Sequence, residues 1–482
     1  MKTKKILILL GFFQFLVVHS QEFIASLPSN GNKAKEIFTV INEADKQTIL
    51  FFTDKTSLSA RRLNENFNTV DSLSIQFEKN KVDNIIGFSR TENQYYIYRE
   101  GSNADEIAVQ HFDFDAKKTV SKTLVFELSK EKIINKFTAN DIFYVVTVKK
   151  NSSILNFYRF QNGLMDKNVV DCNHMRFLDI QQQRNNFYDL CKEKSMVVYH
   201  AEIKNISDET QASLVLSAQK SKAYIFDEKI VYTFDSNKNS TQALTVNLSD
   251  FKVSQRMYGM PSLSELGDSS ESNSLLINDV LIQMKVKDNL LQMTIKDLDN
   301  GLLKSFSLYA GQEMLFKNSD IIEENGSIES TKILGNTNQL IRKIKNLFAS
   351  VSGTYVDGNY YLTLGGVSPP QQNSTVLAGG MLGGLAGALI ASAITTNYSA
   401  ENLLSYSNKR IVYVQSILDD NFNHVEGQYR KRAFDKLRNF AEKNTQLTNH
   451  TVFKLNKNLH LLAFNKNSKA YSLYRFEENS VN

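Results

Sequence analysis

From about residue 36 onward the chain alternates between short apolar runs and polar clusters of Asn, Asp, Lys, Ser and Gly. Residues 142–146 (Ile-Phe-Tyr-Val-Val), 230–234 (Ile-Val-Tyr-Thr-Phe) and 411–414 (Ile-Val-Tyr-Val) are rich in β-branched and aromatic side chains. Such runs fit a pleated, half-buried surface and predict strands, while the polar clusters predict turns. Helical periodicity is confined to two late segments. In residues 340–348, Leu340, Ile341, Ile344, Leu347 and Phe348 share one face, with Arg342, Lys343 and Lys345 on the other. In residues 428–443 the apolar stripe is Ala433, Phe434, Leu437, Phe440 and Ala441, beside Arg430, Lys431, Arg432, Lys436 and Arg438.

The strand pairs resemble one another. Lys150-Asn151-Ser152 joins a strand ending at Val148 to one ending Tyr158-Arg159-Phe160, and Lys466-Asn467-Ser468 joins Phe464 to Tyr474-Arg475-Phe476 in the same spacing. Lys238-Asn239-Ser240 and Lys287-Asp288-Asn289 occupy the same place in two further pairs, and turns are also expected at Asp54-Lys55, Gly101-Ser102-Asn103 and Lys204-Asn205. A hairpin repeated every 40–50 residues or so is the signature of a β-propeller, in which small antiparallel sheets pack face to face around an axis. A row of β-sandwiches would share the turn chemistry, but no Pro- or Gly-rich linker divides the chain. The expectation is an all-β propeller of about seven to eight blades spanning residues 21–482. The strand at residues 36–40 is expected to close the ring beside residues 471–476.

One late hairpin is interrupted. Residues 360–364 read as its first strand and 410–414 as its second, with an apolar, Gly-rich insertion at 366–408 between them. Residues 376–394 carry no charge; Gly379, Gly383 and Gly387 recur at spacing four beside Gly380 and Gly384, among Leu382, Leu385, Leu389 and Ile390. Small residues at that spacing make a flat helix face that admits another backbone, and nineteen helical residues would extend about 28 Å, close to the hydrocarbon thickness. A single crossing conflicts with both flanks belonging to one hairpin, because open backbone cannot recross lipid. The remaining placements are a segment packed on the propeller, or one contacting a membrane or a membrane-protein partner. The two basic amphipathic helices suit an anionic membrane surface, or pack on the sheets with their charges solvated.

Composition narrows this picture in three ways. Hydrophobic residues at 42% and charged residues at 22% are those of a chain with a sizeable core, which excludes a disordered or disulfide-dense chain. Lys2, Lys4 and Lys5, an apolar stretch at 6–18 and Ser20 read as a signal peptide over residues 1–20. Without those three lysines 53 basic residues face 51 acidic ones, too even a balance to gather nucleic acid. In an oxidising compartment Cys172 and Cys191 are expected to form a disulfide. Adding His174 to them as metal ligands leaves the set without a fourth member.

Catalytic motifs are absent from the sequence. No HExxH, Gly-x-Ser-x-Gly or P-loop occurs; Asp297-Leu298-Asp299-Asn300-Gly301 lacks the acidic twelfth position of a calcium loop, and Asp419, Asp420 and Glu426 around His424 read as turn acidity. His200 and His460 lie in expected strands, as structural histidines. No cofactor or metal is called for, and the small-molecule ligand, if any, is not readable. The leader ending Ser20-Gln21, the Lys- and Asn-heavy strands and the Gly-rich insert resemble secreted β-propeller-like proteins of flavobacteria and their relatives. Those exported beyond the outer membrane end in a Gly-containing sorting domain, whereas this sequence has no Gly after Gly427. The resemblance therefore implies the periplasm or the outer membrane, and a non-enzymatic binding or scaffold role with an outer-membrane protein or lipid surface as partner. The alternative is a secreted hydrolase with its site at the propeller axis. N-terminal sequencing of the mature protein is expected to begin at Gln21, and a chain retaining residues 2–5 would contradict cleavage.

Overall fold

The computed structural model describes residues 21–29, 34–77, 84–101, 103, 105–191, 203–206, 211–262, 270–369 and 398–478. Among them, seven sheets of four or five strands follow one another along the chain, with one separate two-stranded ribbon. Sheets 1, 2, 3 and 5 are plain meanders of consecutive strands over residues 36–76, 85–125, 131–171 and 270–309. Sheet 4 is a meander over residues 221–259 with one parallel strand, Lys204–Ile206, added at its first edge. Sheet 6 runs in the order Thr331–Leu334, Ile321–Asn325, Arg410–Asp419, Asn359–Val367, Phe348–Val356. Sheet 7 runs Glu22–Pro28, Ala470–Phe476, Asn458–Asn465, Leu447–Leu455.

Burial explains why these segments read as apolar runs. Middle strands such as Gln47–Thr53, Ile142–Lys149 and Val280–Lys287 are buried on both faces, because each sheet is sandwiched between two others. Last strands such as Thr69–Gln76 and Lys118–Val125 are largely exposed and polar. Aromatic clusters join the sheets in order. Phe51, Tyr95 and Phe112 lie between sheets 1 and 2, Tyr98, Phe143 and Phe160 between 2 and 3, and Phe157 and Tyr232 between 3 and 4. One large cluster spans sheets 4, 5 and 6 through Tyr224, Met284 and Leu362. Phe52, Tyr471 and Leu473 join sheet 7 back to sheet 1. The chain is an all-β propeller.

Hairpin chemistry sets the register. Asn140-Asp141, Asn162-Gly163, Asn278-Asp279 and Asp357-Gly358 each have two consecutive positive φ angles, and each joins strands paired at the flanking residues, such as Ile277 with Val280. Two left-handed residues give the turn whose twist matches that of the strands, which favours Asn, Asp and Gly. The Lys-Asn-Ser turns are the connections between second and third strands. Lys204-Asn205 is not a turn: both residues lie in the parallel strand beside Lys222 and Ala223.

The ring is closed by a different strand from the one expected. Glu22–Pro28 pairs with Ala470–Phe476, placing Leu27 opposite Tyr471, whereas Glu36–Asn42 pairs with Gln47–Thr53 across a tight local turn and opens sheet 1. A hairpin partner four residues away costs far less loop entropy than one at the other end of the chain, so the segment left over makes the closure. Pro28, which has no N–H to donate, sits at the end of this edge strand.

Five short helices complete the described chain: α1 (Phe187–Leu190), α2 (Leu214–Ser217), α3 (Thr337–Lys345), α4 (Tyr398–Leu404) and α5 (Ala433–Lys443). In α3, Leu340, Ile341 and Ile344 are fully buried against sheets 5 and 6. In α5, Leu437 packs with Leu461 and Phe476 of sheet 7. Both helices face the sheets with their apolar stripes. Because Leu27 is buried in the cluster that joins sheets 7 and 1, Leu27→Ala is expected to cost about 3 kcal/mol in urea unfolding; a loss below about 0.5 kcal/mol would contradict closure by this strand.

Candidate interaction site at the centre of the ring

The first strands of the sheets line the middle of the ring, as the contacts of Glu36–Asn42 with Leu447–Leu455 and of Ser270–Ile277 with Phe348–Val356 require. Inside them lies a piece of the chain that belongs to no meander. Lys204–Ile206 runs parallel to Ser221–Ile225 at the inner edge of sheet 4, and Asn205 donates to the Lys136 carbonyl of sheet 3 at 3.0 Å. The chain then returns through α2, where Ser213 caps the helix by accepting from the Leu216 amide at 3.0 Å. Every residue from Ala212 to Tyr224 is buried. Across the ring, Ser350 donates to the Leu214 carbonyl at 2.6 Å and Ser352 donates to the Ala212 carbonyl. This strand and helix occupy much of the middle of the ring at the described residues.

The interrupted hairpin is anchored to this filling. Asn359–Val367 pairs with Arg410–Asp419, Val367 faces Ile411, and the Ser368 amide donates to the Arg410 carbonyl at 2.8 Å. The two feet of the insertion are therefore neighbours. On the returning side, Asn402 is fully buried, accepts from the Ser213 amide and donates to the Gln211 carbonyl at 2.6 Å. Ser405 bonds Ser213 at 2.8 Å, the Tyr406 hydroxyl accepts from the Leu214 amide at 3.0 Å, and Glu401 pairs with Lys204 at 3.0 Å. Gly365 is obligatory beside the feet, since a Cβ there would lie 2.1 Å from the Val412 carbonyl oxygen.

Buried ion pairs fix the same end of the ring. Arg438 of α5 pairs with Glu324 at 2.6 Å and Glu442 at 2.8 Å, and its guanidinium lies 3.7 Å from the centre of the Tyr406 ring. Tyr413 donates to Glu324 at 2.7 Å. Glu323 pairs with both Lys343 and Arg410 at 2.7 Å. Burial opposes its charge, but these two cations outweigh burial and hold the carboxyl below the usual range. Burial also lifts the Tyr406 hydroxyl to about 12 and lowers the Lys409 ammonium to about 8. Arg432 stacks 3.9 Å from the Tyr361 ring and pairs with Glu478. Two of the basic residues expected on a membrane-facing helix, Arg432 and Arg438, are thus spent inside the protein.

The residues singled out in the sequence are scattered. Gly379, Gly380, Leu382, Gly383, Gly384, Leu385, Gly387, Leu389 and Ile390, and also His200, lie outside the described residues. Cys172 and Cys191 are buried thiols of one core cluster and not the expected bridge. Each is held by its own local backbone bonds, Met175 to the Cys172 carbonyl and Cys191 to the Phe187 carbonyl; burial, with Asp171 adding to it, pushes the Cys172 thiol up to about 12. His174 is exposed in a turn. His111 stacks on Tyr96 with ring centres 4.3 Å apart, and His460 lies between Phe67 and Phe453, where burial and then Arg475 lower it to about 4. Asp297 and Asp419 accept from backbone amides of their own turns.

Among the described residues no group of three or more His, Cys, Asp or Glu is placed to hold a metal ion. No described helix is long and apolar enough to cross a membrane. Cavities among the described residues include the following two. One of about 230 Å³ lies at the far ends of the first strands, lined by Ile206, Tyr224, Leu275 and Tyr355; one of about 280 Å³ lies between sheets 2 and 3, lined by Ile86, Phe126, Glu100 and Lys136.

No family model and no curated protein matches this chain. Among solved structures, similarity extends to the WD40 domain of SCAP from fission yeast, at 9% identity and a TM-score of 0.31, over 95% of this chain and 88% of that one. It also extends to cobalt-substituted Synechocystis ACO, at 9% identity and a TM-score of 0.27, over 54% of this chain and 58% of that one. An ACO/RPE65 chimera is similar at 10% identity and a TM-score of 0.27, again over 54% and 58% of the two chains. The chain thus spans less than two thirds of the length of these oxygenase structures. At such identities and scores the likenesses carry nothing about activity.

The central filling was missed in the sequence. Its signal was Ser213 followed by Leu-Val-Leu and an uncharged stretch to Gln219, a capped helix start in a region of strands. The Glu323 pairing has a pH signature. A carboxyl depressed in the folded state stabilises above its unfolded value of about 4.3 and loses that contribution as pH falls through the folded value. Glu323→Gln is expected to lower stability by about 2 kcal/mol at pH 7, with the gap closing as pH falls from about 5 to 3; a gap constant with pH would contradict the ion-pair account.

Proposed function

We propose that this protein is a non-enzymatic scaffold of the cell envelope that docks a membrane or a membrane-protein partner through the apolar insertion at 366–408. The observation that carries this reading is the pairing of Asn359–Val367 with Arg410–Asp419: both ends of the insertion leave one hairpin. The returning end is bonded through Asn402, Ser405 and Tyr406 to the filled centre. An excursion with an uncharged stretch at 376–394 and two adjacent, held feet would suit display on a stiff ring, an arrangement fitted to binding. The pairing also argues against a single crossing, which would place Arg410 on the far side of the bilayer from Val367. The export signal read from residues 1–20 is consistent with a place in the periplasm or at the outer membrane.

The test replaces residues 370–397 with a short Gly-Ser linker, leaving both strands and α4 in place. Expressing cells are fractionated with and without the change. The intact protein is expected in the membrane fraction and the replacement in the soluble one, with unchanged thermal unfolding. Equal membrane association of both proteins would contradict docking through this segment.

A further inference from the structure

Beside the central filling, two buried side chains from two sheets and two backbone carbonyls converge on one lysine nitrogen. Lys222 is the second residue of Ser221–Ile225, the innermost strand of sheet 4's meander, and its side chain is wholly buried. Its Nζ lies 2.9 Å from Asp235 Oδ2, 3.2 Å from Asn273 Oδ1 and 2.9 Å from the Gln219 carbonyl, with the Ser217 carbonyl at 3.5 Å. Asp235 follows the second strand of the same sheet, and Asn273 lies in Ser270–Ile277, the first strand of sheet 5. Asp235 and Asn273 are 1% and 0% exposed.

A lysine with no access to water is seldom kept for stability alone, since an apolar side chain of similar volume does as well or better. This lysine touches both a carboxylate that can take its proton and a carboxamide that it can attack. Those are the parts of an aminolysis: a nucleophile activated by an adjacent base, held against its electrophile in a dry site. Asp235 is itself oriented, accepting from Thr241 Oγ1 at 2.7 Å and from the Ser274 hydroxyl at 2.8 Å and amide at 3.1 Å. Asn273 Nδ2 donates to the Gln219 carbonyl at 3.4 Å, which turns the carbonyl side of the amide toward Lys222. Burial pulls the Lys222 ammonium toward its neutral amine, while Lys222 and Thr241 outweigh burial at Asp235 and hold its carboxyl below the usual range.

We propose that Lys222 and Asn273 form an intramolecular isopeptide bond, with Asp235 carrying the protons. Asp235 takes a proton from the ammonium; Nζ moves from its hydrogen bond with Oδ1 onto Cγ, and the Nζ–Cγ bond forms. The proton on Asp235 passes to the carbonyl oxygen, and a second proton leaves Nζ by way of Asp235 for Nδ2. The Cγ–Nδ2 bond then breaks and ammonia departs, which takes up the remaining proton as ammonium. Lysine ammonium and asparagine amide become a secondary amide plus ammonium, with no oxidant, reductant or cofactor. The product ties the innermost strands of sheets 4 and 5 covalently beside the filled centre, where Thr241 and Ser274 act as positioning residues for the carboxylate.

The test is mass spectrometry of the purified, denatured wild-type protein. The expected result is a mass about 17 Da below that of the sequence, the loss of one ammonia, together with a protease-resistant branched peptide joining Lys222 to Asn273. Asp235→Asn is expected to restore the full mass and two linear peptides. An unchanged wild-type mass would overturn the proposal. So would a loss confined to a linear peptide containing Asn273 and Ser274, which is a succinimide, or a loss of water with a branch from Lys222 to Asp235.

Discussion

A ring of packed sheets leaves a hole in its middle, and this protein depends on how that hole is filled. The strand Lys204–Ile206 and the short helix Leu214–Ser217 supply an apolar surface to the first strands of the surrounding sheets. Their backbone polar groups would be costly to bury unpaired, and side chains of the ring satisfy several: Ser350 and Ser352 donate inward from sheet 6, and Asn402 serves both an amide and a carbonyl. The filling is thus part of the fold's hydrogen-bond network, continuous with the core clusters between the sheets.

Two consequences follow from that filling. The filling occupies the axis over much of the described residues and leaves a cavity of about 230 Å³ at the far ends of the innermost strands, beside Ile206 and Tyr224. In addition, the insertion's return path is fixed, because Glu401, Asn402, Ser405 and Tyr406 are tied to the filling while Arg410 is tied to Glu323. The buried pair of Arg438 with Glu324 locks α5 and the outer part of sheet 6 to the same place. Of the charges on these helices, Arg432 and Arg438 turn out to pair with carboxylates inside the protein, and Arg438 finds its buried partner Glu324 114 residues away.

The repeated hairpin was legible because its determinants are local. Asn, Asp and Gly tolerate positive φ, and fully sandwiched middle strands must be apolar on both faces, so runs such as Ile142–Lys149 stand out. The adjacency of residues 367 and 410 followed from recognising one hairpin behind a long excursion. What failed was long-range. Residues 36–40 and 22–28 are both acceptable strands, and only competition for the nearer partner decides which one opens sheet 1 and which closes the ring. Lys204-Asn205 has turn composition, yet it lies in a strand whose partner is supplied by a parallel crossover. Lys222 and Asp235 look like ordinary surface charges of a strand end; that they meet Asn273 depends on the packing of two sheets. The two cysteines look like a bridge by compartment and number, while each is placed by its own turn or helix end within one apolar cluster.

Hydrogen exchange followed by mass spectrometry tests the filled centre most directly. If residues 211–224 occupy the axis as described, their amides are protected as strongly as those of the middle strands Gln47–Thr53 and Val280–Lys287. Exchange of this stretch on the timescale of the exposed strand Thr69–Gln76 would mean that the centre is open and that the insertion's feet rest on something else.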